Sequence, residues 1–285
     1  MLILNCIFTS DLHGKKKKYR KLFEIVKDES PDGLFLGGDL LPSSLKVDTE
    51  GDEFLRGFLS DQIENVKSAV EDLEIFVIMG NDDPRIYENA LKEMDEKNLI
   101  DYVHASTKRF RDLHVTGYNF VPPTPFHLKD WEKYDVSRYV GIGAVSPEKG
   151  TRTVDVSNYE KKYSTIENDL EELIENSHPK KTIYLFHSPP YDTSLDRAAL
   201  DDKMIDHAPI DNHVGSIAIK RFIKEKQPLV TLHGHVHETV DITGEWSEMI
   251  GETHSFTGVH NGSELSIIRF DTEVLENSIR TLVEI

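Results

Sequence analysis

Cysteine is almost absent from this 285-residue chain: Cys6 is the only one, and it lies in an apolar stretch near the N-terminus. A single cysteine excludes a disulfide framework, and such sparing use fits a reducing compartment, so we expect a cytoplasmic protein. The apolar run over residues 1–8 is too short for a signal peptide or a membrane span and has no basic leader. We therefore expect no membrane association.

Basic residues are also scarce relative to acidic ones. The chain has 33 Lys and Arg against 51 Asp and Glu, which gives a formal net charge of −18. This argues against extended binding of nucleic acid, which needs a basic face. A small anionic substrate is not excluded, because bound cations can reverse the sign of the local field. The hydrophobic content of 38% is ordinary for a globular protein, and the length allows a sizeable core, while the oligomeric state stays open.

Apolar patterning predicts strands and helices that alternate along the chain. Buried strands are expected at 2–9, 34–36, 74–79, 182–186 and 227–231, helices at 16–28, 52–71, 86–94, 159–177 and 217–224, and short antiparallel strands after 241. We expect one domain over 1–285. Residues 101–158 are the least regular part, with a strand or hairpin at 110–118 and a proline-rich segment after it, so this part is either a cap inserted over a pocket or plain loop packing.

Potential metal ligands follow five of these strands. They are Asp11 and His13, Asp39, Asn81, His187, and His235 and His237. Open α/β sheets bind their ligands at the carboxyl ends of strands, and residues two apart in extended chain point to the same side. Imidazole, carboxylate and amide groups suit a divalent cation, and Asp39 could join two cations because a carboxylate has two oxygens. One such strand end has an ordinary explanation more often than not, but five together favour a metal site.

The order and spacing of these residues resemble the calcineurin-like metallophosphoesterase family. Its pattern runs Asp-x-His, Gly-Asp, Gly-Asn-His, His and Gly-His-x-His, and here the blocks extend from Asp11 to His237. The His-Ser-Pro-Pro stretch after residue 186 and the Leu-His-Gly-His stretch after residue 231 look most like the archaeal and bacterial predicted phosphoesterase branch. The resemblance implies an α/β fold, a four-layer α/β/β/α sandwich with two mixed β-sheets.

The same resemblance implies a centre of two divalent cations. One cation would be held by Asp11, His13, Asp39 and His237, and the other by Asp39, Asn81, His187 and His235. Mixed nitrogen and oxygen ligands suit manganese, iron or zinc better than magnesium. The implied reaction is attack of a hydroxide held by both cations on a small phosphate ester, phosphodiester or nucleotide.

One position departs from the family pattern. The family has histidine after the asparagine, where that residue assists the leaving group, whereas this chain has Asp82 after Asn81. A carboxylate beside two dications should have a depressed pKa and be a poor proton donor, which predicts weak activity on alkyl monoesters. We expect Asn81 and Asp82 in the catalytic site. His254 and His213 are candidate replacement acids, with a structural role as the alternative for each, and His233 is expected to support packing.

The lysine run at 15–18 has two interpretations. It is either a solvated face of the following helix, or one or two of its members help to hold an anion near Asp11. For the whole protein, two alternatives to the enzyme remain: a non-catalytic metal-binding scaffold of the same fold, and a nuclease of the same superfamily. The acidic composition weighs against the nuclease.

Overall fold

The computed structural model describes residues 3–42, 50–174, 178–201, 204–205 and 207–285. In chain order, the strands are β1 (Asn5–Thr9), β2 (Gly33–Gly37), β3 (Glu74–Ile78), β4 (Asp101–Tyr102), β5 (Ser106–Phe110), β6 (Leu113–Tyr118), β7 (Thr182–Phe186), β8 (Met204–Ile205), β9 (Ala208–Pro209), β10 (Val230–His233), β11 (Ser247–Ile250), β12 (Thr253–Thr257), β13 (Leu265–Asp271) and β14 (Ile279–Val283). The helices are α1 (Lys16–Glu29), α2 (Glu50–Glu53), α3 (Ser60–Ala69), α4 (Glu88–Glu96), α5 (Asn158–Tyr163), α6 (Ile166–Ile174), α7 (Ile217–Lys226) and α8 (Thr239–Thr243). A π-helical stretch, Phe54–Leu59, joins α2 to α3, and single 3-10 turns lie at Arg85–Tyr87, Pro179–Lys181 and Leu275–Asn277.

Twelve of these strands form two six-stranded mixed sheets. The first has the spatial order β14-β13-β1-β2-β3-β4, with β1 to β4 parallel and the strand β13 antiparallel to both β1 and β14. The second has the order β11-β12-β10-β7-β6-β5, with the four central strands parallel and both edge strands antiparallel. Because the parallel strands of each sheet run the same way, their carboxyl ends meet at one edge.

Side chains alternate between the space inside the sandwich and the helices outside it. In β1, Cys6 and Phe8 pack between the two sheets, whereas Ile7 packs on the side of the helices. This is the period of two that a strand imposes. Phe35 and Phe76 continue the inner core with ring centroids 5.2 Å apart. Both faces of each sheet are therefore buried, which explains the nearly uninterrupted apolar strands of the sequence.

Helices cover the outer face of each sheet. On the second sheet, Phe222 of α7 packs its ring 4.9 Å from that of Tyr184 in β7. The helix begins where the sequence predicts, because the side chain of Ser216 accepts a hydrogen bond from the backbone N–H of Ile219. Helices α1, α3 and α4 contribute to the core against the first sheet. The expected four-layer sandwich is confirmed.

Several element boundaries differ from the sequence predictions; β10, for example, begins at Val230 and not at residue 227. The helix expected over 159–177 is interrupted at Ser164, whose backbone is extended, and its predicted end at 175–177 lies outside the described residues. The segment predicted at 110–118 is a hairpin of β5 and β6 that joins the second sheet. Within the described residues, no helix has the length and apolar character that crossing a membrane would require.

Candidate metal centre

Asp11, His13, Asp39 and His237 converge at the carboxyl edge of the sheets. Each offers a ligand atom, and these atoms all lie within 4.8 Å of one another. The Nε2 atoms of His13 and His237 are 3.0 Å apart, and His237 Nε2 is 3.1 Å from Asp11 Oδ1. Two imidazoles and two carboxylates at such short range form a donor set that suits a divalent cation.

A second group of side chains adjoins the first through Asp39. His187 Nε2 lies 3.4 Å from Asp39 Oδ2 and 3.1 Å from Asn81 Oδ1, and the ring of His235 is centred 5.4 Å from that of His187. His187 Nδ1 is 2.8 Å from the carbonyl oxygen of Gly37, so we assign the proton to Nδ1, which donates to that carbonyl. This tautomer leaves Nε2 as the ligand atom.

The turns that carry these residues have unusual backbone geometry. Four of the ligands adopt the left-handed conformation, with φ of +57° at Asp11, +45° at His13, +51° at Asp39 and +77° at His235. Such values are uncommon outside glycine, and Asp and His tolerate them better than most residues. The first two turns interlock, because the N–H of Asp11 donates to the carbonyl of Gly38 and that of His13 to the carbonyl of Asp39. Backbone hydrogen bonds thereby hold the strained conformation.

Glycine at position 80 allows the two groups to approach each other. A Cβ atom there would lie 2.5 Å from both Cε1 and Nε2 of His187 and would also contact Asp39 Oδ1. Real side chains do not approach so closely, so any other residue would displace the imidazole. The glycine before Asn81 is thus required by the packing of the ligands.

Charges within the centre shift the pKa values of the ligands in opposite directions. Burial alone would lower the pKa of His187, but Asp39 and Asp11 outweigh it and raise that pKa to about 10. Burial opposes a high pKa at His237 too, and the hydrogen bond and charge of Asp11 raise it to about 9. His235 differs, because burial and the neighbouring His187 lower its pKa to about 3. Burial would raise the pKa of Asp11, yet the three surrounding histidines hold it well below its usual range. The carboxylates therefore attract positive charge, which a cation can supply in place of protons.

Comparison with known proteins shows the family of the chain. A family model described as calcineurin-like phosphoesterase matches residues 4–239. The chain belongs to the calcineurin-like phosphoesterase family. No curated protein matches the sequence significantly.

Solved structures share the fold at low identity. The crystal structure of the protein TT1561 of Thermus thermophilus is 18% identical, with a TM-score of 0.61 over 99% of this chain and 100% of that one. A novel archaeal phosphodiesterase (14%, TM-score 0.45, 98% and 100% covered) and a dimetal phosphatase from Danio rerio (10%, TM-score 0.49, 99% of each chain) are more distant. The likeness to TT1561 concerns the fold alone.

Asp82 stands where the calcineurin-like pattern has histidine. Its side chain is 43% exposed, with Oδ2 3.9 Å from His13 Nδ1, and its backbone N–H donates to Asp39 Oδ1. On the protein's own charges, burial and the charge of Asp39 raise the pKa of Asp82 to about 6. The sequence predicts a lowered pKa for Asp82 beside two dications. The two effects differ in sign, because burial and the negative charge of Asp39 raise this pKa whereas a bound cation lowers it.

Asp83 is a residue that the sequence reasoning missed. Its buried carboxylate accepts hydrogen bonds from the backbone N–H groups of Leu40, Leu41 and Gly80, at 2.8–3.0 Å. It therefore connects the turn that carries Asp39 to the turn that carries Asn81. Burial and Asp39 raise the pKa of Asp83 to about 7 against these three donors. The sequence shows only a polar run after β3, and it does not distinguish a residue that binds metal from one that holds the turns in place.

The other candidate histidines lie elsewhere. His254 is in β12 opposite Val230 at the start of β10, whereas the ligands follow the other end of that strand, so the geometry does not bring it into the centre. Because β12 and β10 are parallel and in register, this position favours the structural alternative for His254 over a role as the acid. His213 donates through Nδ1 to the buried carboxylate of Asp196, 2.7 Å away. His233 is buried, with Nδ1 2.9 Å from the carbonyl of Ser188, in keeping with the packing role expected for it.

Proposed function

We propose that the protein is a metal-dependent phosphoesterase that hydrolyses a small phosphate ester. The observation that carries the proposal is the convergence of Asp11, His13, Asp39 and His237 within 4.8 Å at the carboxyl edge of the sheets. Such a site, in a chain of the calcineurin-like phosphoesterase family, favours hydrolysis at phosphorus over other metal-assisted reactions.

The proposal includes two divalent cations. The first would be held by the four converging residues, and the second by Asp39, Asn81, His187 and His235, with Asp39 common to both. When bound, two such cations supply Lewis acidity at the phosphoryl oxygens and lower the pKa of a nucleophilic water. Manganese, iron or zinc fits the mixed nitrogen and oxygen ligands better than magnesium.

The chain's own residues orient these ligands and define the mouth of the site. The hydrogen bond from His187 Nδ1–H to the carbonyl of Gly37 fixes the plane and tautomer of that ring. Asp83 holds the two turns together, and Asp82 lies partly exposed beside His13, where a leaving group would depart. Because a carboxylate near dications retains its proton poorly, esters with good leaving groups are the preferred substrates in this proposal.

The composition of the chain bears on its cellular location and on its substrate. The single buried cysteine supports a cytoplasmic location. The net charge of −18 supports a small phosphorylated substrate and speaks against extended nucleic-acid binding.

The test measures hydrolysis of bis-p-nitrophenyl phosphate and p-nitrophenyl phosphate by metal-stripped protein before and after manganese is added. We expect turnover that needs the metal and disappears in Asp39→Asn. Asp112→Asn is the matched control, because Asp112 is exposed in the turn between β5 and β6. Folded, metal-loaded protein that turns over neither ester would favour the scaffold alternative, and a steeply salt-dependent binding of DNA would favour the nuclease.

A further inference from the structure

Lys18 is the one member of the lysine run at 15–18 whose side chain is buried. It is 3% exposed, whereas the other three lysines are exposed. Its Nζ donates one long hydrogen bond, 3.4 Å, to the carbonyl oxygen of Gly262. No other hydrogen-bond acceptor for it is found among the described residues. An ammonium has three donors, and a buried lysine is normally paired, so Lys18 has donor capacity that the protein itself does not use.

The charge of Lys18 interacts with a ligand of the metal centre. Burial and Lys15 lower its pKa to about 8, while Asp11 and Glu264 act in the opposite direction by stabilising the charged form. Lys18 therefore remains largely protonated at neutral pH and interacts with the charge of Asp11, one of the candidate ligands. Lys16 instead contacts an aromatic ring, with Nζ 5.3 Å from the ring centroid of Phe58.

The loop that contacts Lys18 borders the same edge of the sheets. It joins β12 to β13 and contains Gly258, whose N–H donates to the carbonyl of His233. A Cβ atom on Gly258 would lie 2.9 Å from Oγ of Ser10. That Oγ is buried and has no hydrogen-bond partner in the described part of the chain. Two polar groups that adjoin this loop, on either side of Asp11 in the chain, thus have hydrogen-bonding capacity that the protein leaves unused.

We propose that Lys18 is a specificity-determining residue that binds the second negative charge of a phosphomonoester. This inference rests on the proposed function. A monoester phosphate carries a charge of about −1.5 to −2 near pH 7, whereas a diester has no second ionisable oxygen. The Lys18 ammonium, with its unused donors, stabilises the extra charge through charge-assisted hydrogen bonds and gives no comparable advantage to a diester. The substrate class is therefore a small molecule with a terminal phosphate.

The first experiment measures binding of inorganic phosphate to manganese-loaded protein by isothermal titration calorimetry, so it does not depend on turnover. Lys18→Met removes the charge and keeps most of the volume of the stem. We expect it to weaken phosphate binding about tenfold or more. Lys17→Met is the matched control, because it removes the same charge from an exposed neighbour, and we expect less than about a twofold change for it, since exposed charges are screened. Equal affinities in the two variants would overturn the inference.

The second experiment compares kcat/KM for p-nitrophenyl phosphate and bis-p-nitrophenyl phosphate. Lys18→Met should lower kcat/KM for the monoester, mainly by raising KM. Its kcat/KM for the diester should stay close to that of the Lys17→Met control. A parallel loss on both esters would overturn the assignment of substrate class. The wild-type protein could hydrolyse neither ester and still bind phosphate. If Lys18→Met then binds phosphate more weakly than the wild type, the anion site at Lys18 is supported and the proposed function fails.

A conservative variant distinguishes the loss of charge from a loss of structure. Lys18→Arg keeps the charge, so we expect it to retain phosphate affinity within a few-fold of wild type. Circular dichroism and the thermal unfolding midpoint establish that each variant is folded. If Lys18→Met does not fold, Lys18→Gln is measured in its place. A loss of phosphate affinity in Lys18→Arg as large as that in the uncharged variant would overturn the role of charge.

Discussion

The carboxylate of Asp83 accepts a hydrogen bond from the backbone N–H of Leu41 across 2.8 Å, and so joins two turns that are 42 residues apart in the chain. The turn after β2 carries Asp39, and the turn after β3 carries Asn81. Neither turn has regular secondary structure of its own. The relative position of these two ligands therefore depends on a residue that binds no metal in the proposed mechanism.

Asp83→Ala should weaken manganese binding. The substitution leaves buried N–H groups without acceptors, each of which costs about 1–3 kcal/mol, and releases the two turns from each other. Residues that support metal ligands typically change metal affinity by about 10–100-fold when they are mutated. Titration calorimetry with manganese measures the effect, and thermal unfolding reports the accompanying loss of stability. A folded variant with unchanged manganese affinity would show that the turns hold their positions without Asp83.

Gly80→Ala should impair the metal centre more than it impairs the fold. The added methyl group would occupy space taken by the His187 imidazole, so the ring must move away from Asn81. We expect manganese affinity to fall about tenfold or more, as when a ligand is misplaced. Gly57→Ala is the control, because no atom lies within 4 Å of the position of its Cβ. The same affinity in both variants would contradict this account.

Asp82→His should change the choice of leaving group. Imidazolium donates a proton near neutral pH, whereas a carboxylate beside dications does not. The ratio of alkyl to aryl monoester turnover should therefore rise in Asp82→His and stay low in Asp82→Asn, which also removes the negative charge. Steady-state kinetics on a matched pair of esters gives this ratio. An unchanged ratio in the histidine variant would rule out a leaving-group role at this position.

Stability should decrease below about pH 6.5 partly because of His104. Its Nδ1 accepts a hydrogen bond from the backbone N–H of Asn119, and burial together with the charge of Arg85 lowers its pKa to about 3. Its pKa in the unfolded chain is about 6.5, so the unfolded state takes up the proton first as the pH falls. The stabilisation is complete above that unfolded-state pKa and is lost progressively as the pH falls towards the folded-state value.

Urea unfolding at pH 7 and pH 5 measures this contribution. We expect the unfolding free energy of the wild type to drop by about 1–2 kcal/mol more than that of His104→Gln over this interval. Glutamine keeps an acceptor for the Asn119 N–H and does not titrate in this range. Equal pH dependence in the two proteins would mean that His104 does not lose its proton on folding.

Local patterns in the sequence predicted the alternating strands and helices and the convergence of Asp11, His13, Asp39 and His237, whereas the four-layer arrangement was expected only from the resemblance to the calcineurin-like family. Apolar runs such as residues 182–186 mark buried strands, and each polar strand end is visible in the linear sequence. The support by Asp83 and the burial of Lys18 could not be predicted, because each depends on which turn or loop lies opposite, and that is a property of packing. The position of His254 could not be predicted for the same reason, since the sequence does not reveal which end of the neighbouring strand a histidine in a strand faces.

The left-handed backbone at Asp11, His13, Asp39 and His235 restricts what can replace them, independently of chemistry. Asparagine, aspartate, histidine and glycine tolerate this conformation, whereas β-branched and bulky residues do not. Three of those four residue types are also metal ligands. Aspartate, asparagine and histidine can therefore replace one another at these turns without a change in backbone conformation. Substitutions of this kind would alter the preferred cation of the site and leave the fold unchanged.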